Sequence, residues 1–107
     1  MDLSLVIPVY NEAENLRPLC QQIHQTLASR GWAYELVLVD DGSTDGSGQI
    51  LAELHAEDSR LKVIRFRRNF GQTAALAAGF AYAHGEIIVS LDGDLQNDPA
   101  DIPRLVT

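Results

Sequence analysis

Short apolar runs alternate along the chain with longer stretches in which apolar residues recur every three or four positions. Leu3-Ser4-Leu5-Val6-Ile7-Pro8-Val9 is almost continuously apolar, the pattern of a strand covered on both faces. Pro8 falls at its exit, where a missing ladder donor matters least. Leu16, Leu19, Cys20, Ile23 and Leu27 mark one face of a helix, with Asn15 as its N-cap, Pro18 in its first turn and Gly31 closing it. Tyr34 to Val39 reads as a second buried strand that ends at Asp40-Asp41, and Ile50, Leu51 and Leu54 mark a second helix. Lys62 to Phe66 is the third strand. Gly71 to His84 is an alanine-rich helix whose small side, Ala74, Ala75, Ala78 and Gly79, suits close packing on a sheet. Glu86 to Leu91 is the fourth strand, an apolar run that reads as core and stops at Asp92.

Strands alternating with helices predict an α/β fold, a doubly wound parallel sheet of the Rossmann type with right-handed crossovers. In such sheets ligands bind beyond the carboxyl ends of the strands, where the strand order reverses. With the order 3-2-1-4, that point lies between the first and fourth strands. Tyr10-Asn11-Glu12, Asp40-Asp41 and Asp92-Gly93-Asp94 would then share one rim, and their acidic side chains would converge.

The 107 residues suffice for one core, and the chain stops at Leu105-Val106-Thr107 inside an opening helix, as the front part of a longer protein would. A net charge of -7 argues against binding a nucleic-acid backbone. A single cysteine, Cys20, excludes an internal disulfide and cysteine-rich zinc frameworks; it reads as core, as does Trp32. Neither a basic leader nor a membrane-length apolar run is present, so this stretch reads as soluble. His24, His55 and His84 lack metal or triad spacing and read as helix-surface residues.

Three segments carry candidate chemistry. Two carboxylates about 6 Å apart, as in Asp92-Gly93-Asp94, repel by roughly 3 kcal/mol at an effective dielectric of 20, which a cation between them relieves. Oxygen-only donors, with Gln96 as a further one, favour Mg²⁺ or Mn²⁺ over zinc. A turn built from Asp92 and Asp94 is the competing reading, and Asp98 reads as a cap on the helix opening at Pro99. In Asp40-Asp41-Gly42-Ser43-Thr44-Asp45-Gly46, Asp41 is placed to accept from a base N–H, whereas Thr44 and Asp45 suit a turn and the cap of the next helix. Calcium-loop spacing fails there, because the twelfth position is Ala52. Tyr10 is either a stacking surface for a base or a core edge, and Glu12 either a ligand acceptor or compensation for the helix dipole. Arg65, Arg67 and Arg68 form the one basic knot, with phosphate contact and a solvated loop both open.

The phosphate-binding glycine patterns of dinucleotide oxidoreductases and P-loop NTPases are missing. An aspartyl phosphotransferase would want its D-x-D after the first strand, where Tyr10-Asn11-Glu12 stands. Instead, four segments in order resemble the inverting nucleotide-sugar glycosyltransferases of family 2, with a GT-A fold. They are Ile7-Pro8-Val9-Tyr10-Asn11-Glu12, Val39 to Asp45, Arg68-Asn69-Phe70-Gly71 with Ala75 and Gly79, and Asp92-Gly93-Asp94-Leu95-Gln96. The R-N-F-G and D-x-D-L-Q-x-x-P wording is most similar to the branch acting on polyprenyl phosphates, dolichyl or undecaprenyl.

That resemblance implies residues 1–107 are the nucleotide-sugar-binding N-terminal part of a GT-A domain. It implies that Pro8, Tyr10 and Glu12 line the nucleotide pocket and that Asp41 binds the base. Asp92 would contact ribose or metal, and Asp94 and Gln96 would hold Mg²⁺ or Mn²⁺ on the diphosphate of a UDP- or GDP-linked sugar. Asp92 and Asp94 would serve catalysis electrostatically. A lipid-phosphate acceptor at the cytoplasmic face of a membrane follows for the full-length protein, with membrane contact through segments beyond Thr107; an oligomer is compatible with it. A polysaccharide acceptor, or nucleotide-sugar binding without turnover, are the alternatives.

Overall fold

A computed structural model describes residues 2–91. Its elements run β1 (Leu3–Val9), α1 (Ala13–Ala28), β2 (Tyr34–Asp40), α2 (Ser47–Glu57), β3 (Leu61–Arg65), α3 (Gln72–Tyr82) and β4 (Ile87–Ser90). All pairings are parallel and the order is β3-β2-β1-β4, the order expected from sequence. Asp92, Asp94, Gln96, Asp98 and the helix expected after Pro99 lie outside the described residues.

Strand alternation splits the core into two layers. Leu5, Ile7, Leu36 and Leu38 face α1 and α2, where they pack with Leu16, Leu19, Ile23, Leu27 and Leu51. Val6, Val37 and Val39 form the other layer with Ala75 and Ala78 of α3. Gly79 explains how an alanine helix reaches the sheet: a Cβ there would occupy the space of the Val6 Cγ1 methyl. The small side of α3 therefore packs as its sequence predicts.

Pro8 also sits where the pattern places it. The Val6 carbonyl accepts from Leu91 N–H at 3.0 Å, so even-numbered residues of β1 direct their backbone groups toward β4. The last β1–β4 pair is Val6 with Ser90, and Pro8 lies two residues beyond it. Among the described residues, its lost donor falls beyond the last β1–β4 pair.

Several boundaries differ from the sequence expectations. α1 opens at Ala13, with Glu12 rather than Asn15 at the N-cap, because the neighbouring loop supplies acceptors for its first donors. Pro18 thus falls inside the helix and not in its first turn. α1 ends at Ala28, and Gly31, at φ 71°, turns the chain three residues later. Ile87 and Ile88 of β4 are 39% and 42% exposed rather than core. Among the described residues β4 is an edge strand, so its apolar run signals a strand but not one covered on both faces. Cys20 is buried as expected, and burial pushes its thiol up to about 11.

His55 and His84 are exposed as expected, His84 just past the end of α3, whereas His24 is half-buried. His24 Nδ1 lies 2.6 Å from the Tyr34 hydroxyl and its Nε2 3.1 Å from Asp58, while Arg60 donates to the same hydroxyl at 2.7 Å. His55 Nδ1 meets the Leu61 carbonyl at 2.7 Å. These contacts tie α1 and α2 to the amino-terminal edge of the sheet, opposite the edge where strand order predicts a ligand.

Candidate nucleotide-binding edge

Val9 and Asp40 are register partners at the carboxyl end of β1 and β2, and Asp41 N–H donates to the Val9 carbonyl at 2.8 Å. Tyr10 and Asp41 therefore leave neighbouring strand ends together. Tyr10 is 47% exposed, which removes the reading of it as a core edge and leaves an aromatic surface on the rim. Pro8 and Glu12 are half-buried. One Glu12 carboxylate oxygen accepts from Asn15 Nδ2 at 2.8 Å, so this side chain also serves the start of α1.

Asp40 and Asp41 are both buried, and they point to opposite layers. Asp40 Oδ1 accepts from Ser43 N–H at 2.9 Å and thereby shapes the β2–α2 loop. Its Oδ2 has no hydrogen-bond partner and lies 3.7 Å from Arg65 Nε, a distant pairing with an exposed guanidinium. Asp41 faces α3. Its Oδ1 accepts from Phe70 N–H at 2.7 Å, and its Oδ2 from Gly71 N–H at 3.0 Å and Asn69 Nδ2 at 3.2 Å. Gly71 is the N-cap of α3, so the carboxylate sits against the positive end of that helix.

Sequence reasoning assigned Asp41 a ligand and missed its attachment to Asn69-Phe70-Gly71. The signal was available: a carboxylate leaving a strand, and an R-N-F-G segment just before a helix whose first N–H groups need an acceptor. Gly42 tightens the same junction. It has φ 75°, and a Cβ there would overlap the backbone of Arg68 and Asn69. Arg68 is exposed, and its guanidinium lies 4.6 Å from the ring centroid of the likewise exposed Phe70. A cleft of about 340 Å³, lined by Gly42, Ser43, Arg65, Phe66 and Arg67, opens at this edge.

The described chain ends at Leu91, bonded to β1 two residues before Pro8. Among the described residues, no group of three or more His, Cys, Asp or Glu side chains is placed to hold a metal ion. Asp92, Asp94 and Gln96, the oxygen donors that the sequence offers to Mg²⁺ or Mn²⁺, lie outside the described residues.

The match that decides the family covers residues 4–107, with the model for glycosyl transferase family 2. The chain belongs to this family. A curated relative, the undecaprenyl-phosphate 4-deoxy-4-formamido-L-arabinose transferase of Pseudomonas fluorescens, is 47% identical over 105 residues, which is 97% of this chain and 31% of that protein. Among solved structures, a Pyrobaculum calidifontis mannosyltransferase in complex with GDP-Man and Mn²⁺ superposes with a TM-score of 0.78 at 25% identity, over 92% of this chain and 29% of that one. The Mycobacterium tuberculosis glucosyl-3-phosphoglycerate synthase, in complex with Mn²⁺, UDP and glucosyl-3-phosphoglycerate, gives 0.73 at 27% identity, over 98% of this chain and 38% of that one. The chain thus spans about a third of the length of these relatives, and its parallel sheet has the GT-A strand order expected from its sequence.

Proposed function

We propose that this chain is the nucleotide-sugar-binding part of a metal-dependent inverting glycosyltransferase that moves a sugar from a UDP- or GDP-linked donor onto a polyprenyl phosphate. The observation that carries the reading is the joined carboxyl edge of β1 and β2, where exposed Tyr10 and buried Asp41 leave adjacent strand ends. Family membership, the relative named as an undecaprenyl-phosphate transferase and the Mn²⁺ complexes of the structural neighbours support it.

In this reading Pro8, Tyr10 and Glu12 line the nucleotide pocket, with Tyr10 offering its ring to the base. Asp41 has about four acceptor positions, three of them occupied by residues 69–71, so one is left for a base N–H. Asp92 would contact ribose or metal, and Asp94 and Gln96 would hold the metal. When bound there, Mg²⁺ or Mn²⁺ neutralises the charge of the departing diphosphate. A phosphate oxygen of the acceptor forms the bond to the anomeric carbon as the bond to the nucleoside diphosphate breaks, with inversion. The acceptor is already anionic, so this chain need not supply a general base.

Calorimetric titration of UDP- and GDP-sugars, with and without Mn²⁺, tests the proposal. Metal-dependent binding that disappears in Asp94→Asn, with the fold retained, is the expected result. Unchanged affinity in that variant with Mn²⁺ present would contradict it. Because the chain spans 31% of its transferase relative, binding by this chain without transfer is the second reading. Product formation from labelled donor sugar and a polyprenyl phosphate separates the two.

A further inference from the structure

Helix α1 begins without a side-chain cap of its own. The donors at its entrance are taken instead by the loop after β2. Asn11 N–H donates to Ser43 Oγ at 3.0 Å, Glu12 N–H to Ser47 Oγ at 3.1 Å and Ala13 N–H to Asp45 Oδ2 at 3.2 Å. In return, the Asn11 side-chain carbonyl accepts from Thr44 N–H at 2.8 Å. Asn11 has φ 52°, a left-handed conformation that few non-glycine residues adopt and asparagine tolerates best.

One carboxylate closes this latch. Asp45 Oδ1 accepts from Ser47 N–H at 3.0 Å and Ser47 Oγ–H at 2.6 Å, while its Oδ2 reaches Ala13. Asp45 therefore serves the first donors of α1 and of α2 together, where both helix dipoles favour negative charge. The Ser47 hydroxyl that it orients, along with the Ser47 N–H and the Ala13 N–H, holds the Asp45 carboxyl below its ordinary range. Ser47 is buried, so the hydroxyl that accepts from Glu12 is fixed by its donation to Asp45.

We infer that Asp45 and Ser47 are positioning residues that fix the Tyr10–Glu12 backbone from the neighbouring loop and thereby set nucleotide affinity. The inference rests on the reading of Tyr10 and Glu12 as pocket residues. Neither Asp45 nor Ser47 touches the nucleotide in this account; each acts through the main chain of residues 11–13.

The test compares Asp45→Ala and Ser47→Ala with Tyr34→Phe, a change at the opposite edge, in the full chain. Calorimetry gives the Kd for UDP and GDP with Mn²⁺ well below every thermal midpoint, and hydrogen exchange follows the Glu12 and Ala13 amides. Loss of charge-assisted bonds of this kind predicts about tenfold weaker binding in Asp45→Ala, and a smaller loss in Ser47→Ala. Both variants should exchange the amides of residues 12 and 13 faster while mid-α1 amides stay protected. Tyr34→Phe should lower the midpoint and leave Kd unchanged. Should Asp45→Ala fail to fold, Ser47→Ala, which removes only a hydroxyl, carries the test. Wild-type binding with both latch variants unaltered, or loss that merely follows the midpoint in all three, overturns this inference alone. A wild type that binds neither nucleotide overturns the pocket reading and this inference with it.

Discussion

Glu35 of β2 and Asp41, the residue just past its carboxyl end, are both buried, and they hold opposite ends of α3. Asp41 accepts from the backbone at the start of that helix, through Phe70 and Gly71. Glu35 accepts from His84 N–H at 2.7 Å, just past its end, and from the Ser4 hydroxyl at 2.7 Å. The electrostatic settings are opposed. Asp41 sits at the positive end of the helix dipole, whereas Glu35 sits at the negative end and leaves its Oε1 without a hydrogen-bond partner. Burial pushes the Glu35 carboxyl up, and the Ser4 and His84 donors outweigh that and hold it below its ordinary value. The difference teaches that a buried acid at a strand end is not by itself evidence of a ligand. At the amino edge one carboxylate oxygen takes both donors and the other is buried without a partner; at the carboxyl edge both oxygens are engaged, and an exposed aromatic stands beside them.

The largest effect is expected at Asp41. Asp41→Ala strands the Phe70 and Gly71 N–H groups and should cost about 3 kcal/mol in chemical denaturation, together with loss of nucleotide binding. Gly42→Ala attacks the same junction from the loop side. The overlap with the Arg68–Asn69 backbone and a left-handed φ should cost about 2 kcal/mol and weaken nucleotide binding, read by denaturation and calorimetry together. Glu35→Gln sharpens the contrast, since it should cost only about 1 kcal/mol and leave nucleotide affinity unchanged. An equal effect on affinity from the two edges would dissolve the distinction between them.

The smallest effect is on pH dependence. Burial, then the Arg60 charge, lowers the His24 pKa, so the folded chain prefers neutral imidazole. That form accepts from the Tyr34 hydroxyl, which a protonated ring cannot do. A depressed histidine contributes stability that is complete above its unfolded value near 6.5 and is lost as pH falls through the folded value. Glu35, also depressed, contributes above its unfolded value near 4.5 and loses that on further acidification. Denaturation midpoints against pH should therefore fall in two stages, and His24→Gln should remove the upper stage alone.

The sheet order, both apolar layers and the close approach of α3 were legible because periodicity and residue size report them directly. So was the meeting of Tyr10 with Asp40-Asp41, since topology alone dictates it. Other features depended on partners distant in sequence. Asn15 looks like a cap until Asp45 and Ser47 reach across from another loop, and Pro18 shifts inward with the helix start. His24 looks solvent-facing until Tyr34 and Asp58 close around it. The expected order 3-2-1-4 already put the fourth strand at an edge, but the exposure of Ile87 and Ile88 was hidden, because an apolar run does not report whether anything covers it.

The central claim is that nucleotide binds at the carboxyl edge of the sheet. Amide chemical-shift mapping of the ¹⁵N-labelled chain, titrated with UDP or GDP in the presence of Mg²⁺, addresses it directly. Shifts concentrated at Tyr10, Glu12, Asp41, Phe70 and Gly71, with Tyr34, Glu35 and His84 unmoved, are the predicted result. Shifts confined to the amino edge, or none at saturating nucleotide and metal, would contradict it.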